Sequence, residues 1–451
     1  MRLNFRLAII FATLFSASVS NYAAAQPARL SRMQELNPAM PQPLKIDQDR
    51  VAAAGIQRIE GKHIDLYTDV RDPSITEELV RVFDAAIPRW CAYFEVDPER
   101  TEPYRLSAMV IADRSQTDAF GKAGLMPDDL PDFLAGYNRG HEMWVFMQPG
   151  DYYTRHLLLH EGTHAFMQWF LGGSGPAWYS EGMAELLGLH RWQKGKLKLG
   201  YRVQSNLECP YWGRVKIIRE DVAKGDSRSL DEVMNISSIS FRQVDAYAWS
   251  WAACYFLSQH SLTWKPFAHL AGQAGNQSPS FNRGFLQAIE QHRGEIERDW
   301  KLYLDEMVYG YDVRSGGLIS ATMAEYGPDP PVEIKSSFSW QQTPWQVKEG
   351  EVFELAASGE FEISLGEKLL PCEAGGITIE YYRGRPLGEL TLAILTTEGE
   401  GPARLAAQPL PIGLGGQFTA PASGVICLRF NVSPARLDDI RGSLKVRIKQ
   451  N

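Results

Sequence analysis

The residues most able to act together in this sequence are His160, Glu161 and His164, in the run His160-Glu161-Gly162-Thr163-His164. They fall inside an apolar stretch, residues 155–171, patterned as a helix. Side chains four apart share a helix face, so both imidazoles can reach one zinc ion at about 2.0 Å. Glu161 flanks that stripe, where its carboxylate can take a proton from a zinc-bound water without ligating, the division of labour that HExxH encodes. Such a site needs a third protein ligand and an open fourth position. Pro176-Ala-Trp-Tyr-Ser-Glu181-Gly-Met-Ala-Glu185 offers that ligand in Glu181, on a new helix that follows the chain reversal at Gly172-Gly173-Ser174-Gly175-Pro176. Four residues on, Glu185 shares a face with Glu181 and is placed to accept a hydrogen bond from the non-ligating nitrogen of one histidine. His156 lies on the same stripe. With no Glu between it and His160, it reads as a substrate-side or structural hydrogen-bonding group. The plainer alternative is a buried helix with satisfied polar residues, Glu181 as a helix-start acid and Glu185 as a solvated one.

HExxH followed at a short interval by Trp-x-x-Glu-Gly-x-Ala-Glu resembles the gluzincin metallopeptidases. These include aminopeptidase N, thermolysin and the peptidase-MA-like families of bacteria. The likeness covers residues 58 to 310, and it implies that Glu181 is the zinc ligand and Glu185 the support of a zinc histidine. In the aminopeptidase N family a tyrosine ahead of a helix, in the form Tyr-x-Lys-Gly-x-Ala, stabilises the oxyanion. Ala246-Tyr247-Ala-Trp-Ser-Trp-Ala252 keeps the tyrosine but has Trp249 for the lysine, so Tyr247 is the catalytic candidate, with a core aromatic as the alternative reading. Gluzincins also bind substrate along an exposed edge strand, and residues 140–145 occupy that place in the order. The Gly-x-Met-Glu-Asn signature of the aminopeptidases is missing, which favours an endopeptidase.

Composition sets the frame for these motifs. At 451 residues, two or three domains are expected. Arg2 and Arg6, the apolar run 7–15 and Ala23-Ala24-Ala25 form a secretory leader, too short for a transmembrane helix of about 20 residues. The expected location is therefore exported, periplasmic or extracellular, with no membrane anchor. The full chain carries 46 basic and 54 acidic residues, a net charge of −8 that argues against nucleic acid as a partner. Five cysteines show no CxxC spacing, so thiolate zinc sites have no support. An oxidising compartment permits one or two disulfides, and Cys91 and Cys254, in apolar helical runs, read as buried thiols.

To position the site, the sequence offers an extended lead-in (26–57), a strand over 59–70, a helix over 75–94, strands at 106–112 and 143–147, and helices from 152 to about 308, broken at 172–176 and again around 195–210. The expected fold is an α+β zincin-like catalytic domain, with a small mixed sheet and a mostly helical second half, over 58–325. A Pro-rich linker (326–335) leads to an all-β sandwich over 336–451. The sandwich resembles bacterial calcium-dependent galactophilic lectin domains, through Trp345-Gln-Val-Lys-Glu-Gly350, Pro386-Leu-Gly-Glu-Leu390 and the run from Leu428 to Val446. That resemblance would place calcium ligands at Asn431-Val432 and Asp439-Ile440, where two of the four positions are apolar.

The expected function is thus a secreted zinc metallopeptidase acting on peptide or protein substrates, possible partners including cell wall or polysaccharide. The alternatives are a zinc-site protein without turnover and a carbohydrate-binding surface protein that works through its sandwich.

Overall fold

The computed structural model describes residues 43–323, 330–396 and 404–450; the expected leader, and the expected linker up to residue 329, lie outside them. The chain divides into two compact units at a boundary between Ser180 and Glu181, inside one helix. One unit holds the residues up to 180 with 192–198 and 269–281, the other holds 181–191, 199–268 and all from 282 on.

The first unit starts with a short helix, α1 (Gln48–Ala53), where an extended lead-in was expected. Asp47 caps it by accepting from the backbone of Asp49 and Arg50, and Val51 is buried. The expected strand over 59–70 is a hairpin, β1 (Gln57–Glu60) and β2 (Ile64–Thr68). The turn forms because the Asp84 carboxylate accepts from the backbone N–H of both Lys62 and His63, each at 2.8 Å. Helix α2 (Pro73–Phe94) follows, with Asp72 as its cap and Pro73 in its first turn, and then come β3 (Leu106–Ile111) and α3 (Thr117–Lys122). Next are β4 (Gly136–Arg139), β5 (Glu142–Phe146) and the long helix α4 (Asp151–Leu171).

The sheet order is β1-β2-β3-β5-β4, with β2, β3 and β5 mutually parallel and β1 and β4 antiparallel at the edges. This corrects the expected substrate strand. Residues 142–146 form an interior strand paired on both sides, and the edge is the preceding segment, Gly136–Arg139. Helix α4 is buried on all sides from Leu157 to Met167, as a helix that is apolar almost all round must be.

Helix α5 (Ala177–Gly188) is followed by a hairpin, β6 (His190–Gln193) and β7 (Lys196–Leu199), so the break expected around 195–210 begins earlier, at residue 190, and contains strands. The second unit continues with α6 (Arg214–Lys224), α7 (Leu230–Met234), α8 (Val244–Gln259), α9 (Trp264–Ala268), α10 (Ser280–Ile289) and α11 (Arg293–Asp305). Two short strands, β8 (Ile319–Ser320) and β9 (Thr322–Met323), open the β-rich part. Each joins a different sheet.

The remaining strands are β10 (Val332–Lys335), β11 (Gln341–Val347), β12 (Val352–Ser358), β13 (Phe361–Leu365), β14 (Lys368–Cys372), β15 (Ile377–Tyr382) and β16 (Arg385–Leu387), followed by β17 (Leu390–Thr396), β18 (Arg404–Pro411), β19 (Gly415–Thr419), β20 (Gly424–Phe430) and β21 (Ile440–Gln450). One sheet runs β14-β13-β21-β10-β9, with β12 pairing β21 and β19; the other runs β18-β17-β20-β11-β8. Phe353, Leu355, Ile363, Leu392, Ile394, Leu428 and Leu444 fill the space between them, the alternating inward face of a two-sheet packing. The second sheet is covered on its outer face too, where Leu302 of α11 packs with Leu318, Trp340 and Leu395. Beside that contact Arg429 donates to Glu306 at 2.5 Å. All five cysteines are free and buried.

Candidate metal centre

Helix α4 places the His160 and His164 rings one above the other, with Nε2 of each 3.3 Å from Nε2 of its neighbour. Two nitrogens bound to one tetrahedral zinc at about 2.0–2.1 Å stand about 3.3–3.4 Å apart, so the pair fits a shared ion. Behind the pair, Ser180 Oγ lies 3.1 Å from His164 Nδ1. In the tautomer that donates from Nδ1 to Ser180, the lone pair of Nε2 is the one that faces a metal.

Helix α5 runs unbroken past Ser180, so Glu181 follows it by one helical step. His160, His164 and Glu181 each offer a ligand atom, and these atoms lie within 4.8 Å of one another. A second group of the same kind joins His156, His160 and Glu185. His156 is buried and stacks on Tyr153 at 5.5 Å.

Two glycines explain why these helices can come so close to their supports. A methyl at Gly162 would stand 2.8 Å from both the Phe83 and Trp90 rings, so α4 seats directly on α2. A methyl at Gly182 would stand 2.5 Å from the backbone oxygen of Ser250 and from Cys254 Sγ, so α5 seats on α8. The Cys254 thiol is pushed well up by burial, which keeps it protonated and unsuited to metal binding.

Glu161 points to the edge of the sheet. A Cβ at Gly136 would meet Glu161 Oε1 at 2.5 Å and its Cγ at 3.0 Å, so the carboxylate lies against bare backbone of β4. Phe146 N donates to Ala135 O at 2.9 Å, and the pairs 137/144 and 139/142 continue that register. By the alternation of antiparallel pairing, the backbone N–H and C=O of Gly136 and Asn138 face outward from the sheet. Among the described residues no strand pairs with that side. On the interior neighbour strand, burial pushes the Glu142 carboxyl up, against a hydrogen bond from Leu44 N at 2.7 Å.

Glu185 is gripped on its far side. Arg214 Nη2 donates to Oε1 at 3.0 Å, and Arg214 Nε and Trp212 Nε1 donate to Oε2 at 3.1 and 2.9 Å. The solvated-acid reading of Glu185 is thereby overturned. Sequence reasoning missed both partners, which lie 27 and 29 residues further on in a turn-rich segment without a motif. Tyr247 is half-buried in the first turn of α8, against Phe241 and beneath Arg214, whose guanidinium carbon is 5.7 Å from the ring centre. Its helix neighbours Trp249, Trp251 and Phe256 are core residues.

The polar residues expected at the lectin calcium positions make hydrogen bonds within the protein. Asn431 Nδ2 donates to the backbone oxygens of Tyr382, Arg385 and Pro386 at 2.9–3.2 Å, which pins the β15–β16 hairpin. Asp439 accepts from Arg436 Nε at 2.7 Å, and the same guanidinium pairs with Glu380.

The sequence matches no family model and no curated protein. Among 65 matching chains of solved structures is the EclA N-terminal domain, a PllA-like lectin, at 19% identity and a TM-score of 0.20, over 26% of this chain and 93% of that one. At so low a TM-score the likeness says nothing of function. Among the described residues no helix is long and apolar enough to cross a membrane.

Proposed function

We propose that this chain is a zinc-dependent metallopeptidase of the gluzincin type with a zincin-like catalytic domain, exported and acting within peptide chains. His160, His164 and Glu181 hold the zinc. A zinc ion held there would supply Lewis acidity to the reaction. Glu161 is the base placed to take the attacking water's proton and return it to the leaving amine. Tyr247 donates to the oxyanion, while Ser180 and Glu185 hold the two imidazoles in their metal-binding orientation.

The observation that carries this reading is a juxtaposition: the Glu161 carboxylate lies against Gly136 of β4, the edge strand among the described residues, on the residue after a histidine whose Nε2 is 3.3 Å from the next. An extended peptide adding to β4 through the outward groups of Gly136 and Asn138 would run its backbone past the base. The lack of a motif for a free amino terminus supports internal cleavage. For the carbohydrate-binding alternative no comparable observation exists: two of the four expected calcium positions, Val432 and Ile440, carry apolar side chains.

Metal removal tests the proposal. Chelator-stripped protein should lose hydrolysis of an unfolded protein such as casein, and about one equivalent of zinc per chain should restore it. Hydrolysis that persists at full rate in metal-free protein would refute the assignment.

A further inference from the structure

We propose that Trp212 and Arg214 are positioning residues of the metal centre, which aim Glu185 at the histidine stripe and, through the same guanidinium, hold Tyr247. The inference rests on the metallopeptidase reading and adds to it two residues that no motif contains.

Glu185 is only 2% exposed and Arg214 only 5%. A carboxylate taken that far from water needs charged and hydrogen-bonding partners on most of its lone pairs. Arg214 meets it fork to fork, through Nε on one oxygen and Nη2 on the other, which fixes the plane of the carboxylate as a single lysine charge could not. The Trp212 indole fills a third lone pair, at 2.9 Å on Oε2. The same carboxylate brings an oxygen within 4.8 Å of a ring nitrogen of both His156 and His160. Rotation of Glu185 away from those rings would break up to three hydrogen bonds at once.

Backbone geometry agrees with a clamp on this segment. Tyr211 has φ +68° and Gly213 φ +63°, so left-handed residues flank Trp212 on both sides. A bulky residue adopts that conformation only at a cost, and it persists where its neighbours are pinned. Trp212 is pinned by Glu185 and by the edge-on ring of Trp251, 4.7 Å away on α8. Arg214 is pinned by Glu185 and covers Tyr247 on the same helix. One guanidinium therefore touches both the carboxylate that supports a metal ligand and the tyrosine assigned to the oxyanion.

The test compares wild type with Trp212→Phe, which keeps the ring but removes the N–H, and Arg214→Lys, which keeps the charge but removes the fork. Each is also made in a Glu185→Gln background. Zinc dissociation constants come from competition with a chelating dye at a temperature where circular dichroism shows every variant folded, and kcat and KM from a quenched peptide. Each single change should weaken zinc binding roughly 10-fold and lower kcat with KM within about twofold. In the Glu185→Gln background neither should weaken zinc further, while Arg214→Lys should still lower kcat through Tyr247. Wild-type zinc affinity in Trp212→Phe and Arg214→Lys, with only the unfolding temperature lowered, would overturn the inference and leave the metal site standing. Fully additive losses in the Glu185→Gln background would also overturn it. A wild type that binds no zinc would bring down the metallopeptidase reading itself.

Discussion

Gly136→Ala separates the position of the base from its identity. The new methyl would sit 2.5 Å from Glu161 Oε1 and 3.1 Å from its Cδ. An ordinary carbon–oxygen contact begins at about 3.3 Å, so the carboxylate must retreat by about 0.8 Å. The atom in the way is the far end of a flexible side chain, and Gly136 lies in a strand where alanine is at least as acceptable as glycine. Stability should therefore change by less than about 1 kcal/mol. A misplacement of about 1 Å at a reacting group costs on the order of 100-fold in rate, equivalent to about 2.7 kcal/mol in the barrier. The expected outcome is normal zinc content, an unfolding temperature within a few degrees of wild type, and kcat about 100-fold down on a quenched peptide. A kcat within threefold of wild type would show that Glu161 does not act from the place where it touches β4. Loss of zinc together with activity would refute the reasoning from the other side.

Two further outcomes concern the scaffold. Gly162→Ala drives a methyl to 2.8 Å from the buried Phe83 and Trp90 rings and should cost about 1–3 kcal/mol, read as a lower urea midpoint at unchanged slope; an unchanged midpoint would mean α4 does not seat on α2 there. Asp65 is raised by burial but held below the usual carboxylate value overall by hydrogen bonds from Arg105 and Arg58, both at 2.8 Å. Because its folded pKa is depressed, its stabilisation is present above the unfolded value near 3.9 and lost as pH falls through the folded one. Asp65→Asn should accordingly be less stable than wild type at pH 7, by about 1 kcal/mol for a half-exposed arginine pair, and the gap should close toward pH 3. A gap constant over that range would contradict the pairing.

What could be read in advance follows from which signals are local. The two imidazoles and their flanking acid are set by helix periodicity alone, and the helix carrying Glu181 by the glycine-rich break before it. Strand β4 was missed because Gly136-Tyr-Asn-Arg139 is short and poor in β-formers; it is a strand because β5 pairs with it. For the same reason the edge was assigned to 140–145, a better strand by composition but one enclosed on both sides. Helix α1 was hidden in a Pro-rich segment whose start is fixed by the single cap Asp47. The Trp212 and Arg214 clamp had no signal, since its partner lies in another helix and its geometry is made by two left-handed residues. In the β-rich part the alternation of β12 was legible, whereas β17, buried at every position, shows a continuous run because α11 covers its outer face.

The most direct measurement is casein cleavage by zinc-loaded wild type beside Glu161→Gln, with the zinc content of both determined. About one zinc per chain in each protein and a rate loss of about 10³-fold or more in the variant is the expected result. Cleavage by the zinc-loaded variant at the wild-type rate would contradict a peptidase in which Glu161 is the base.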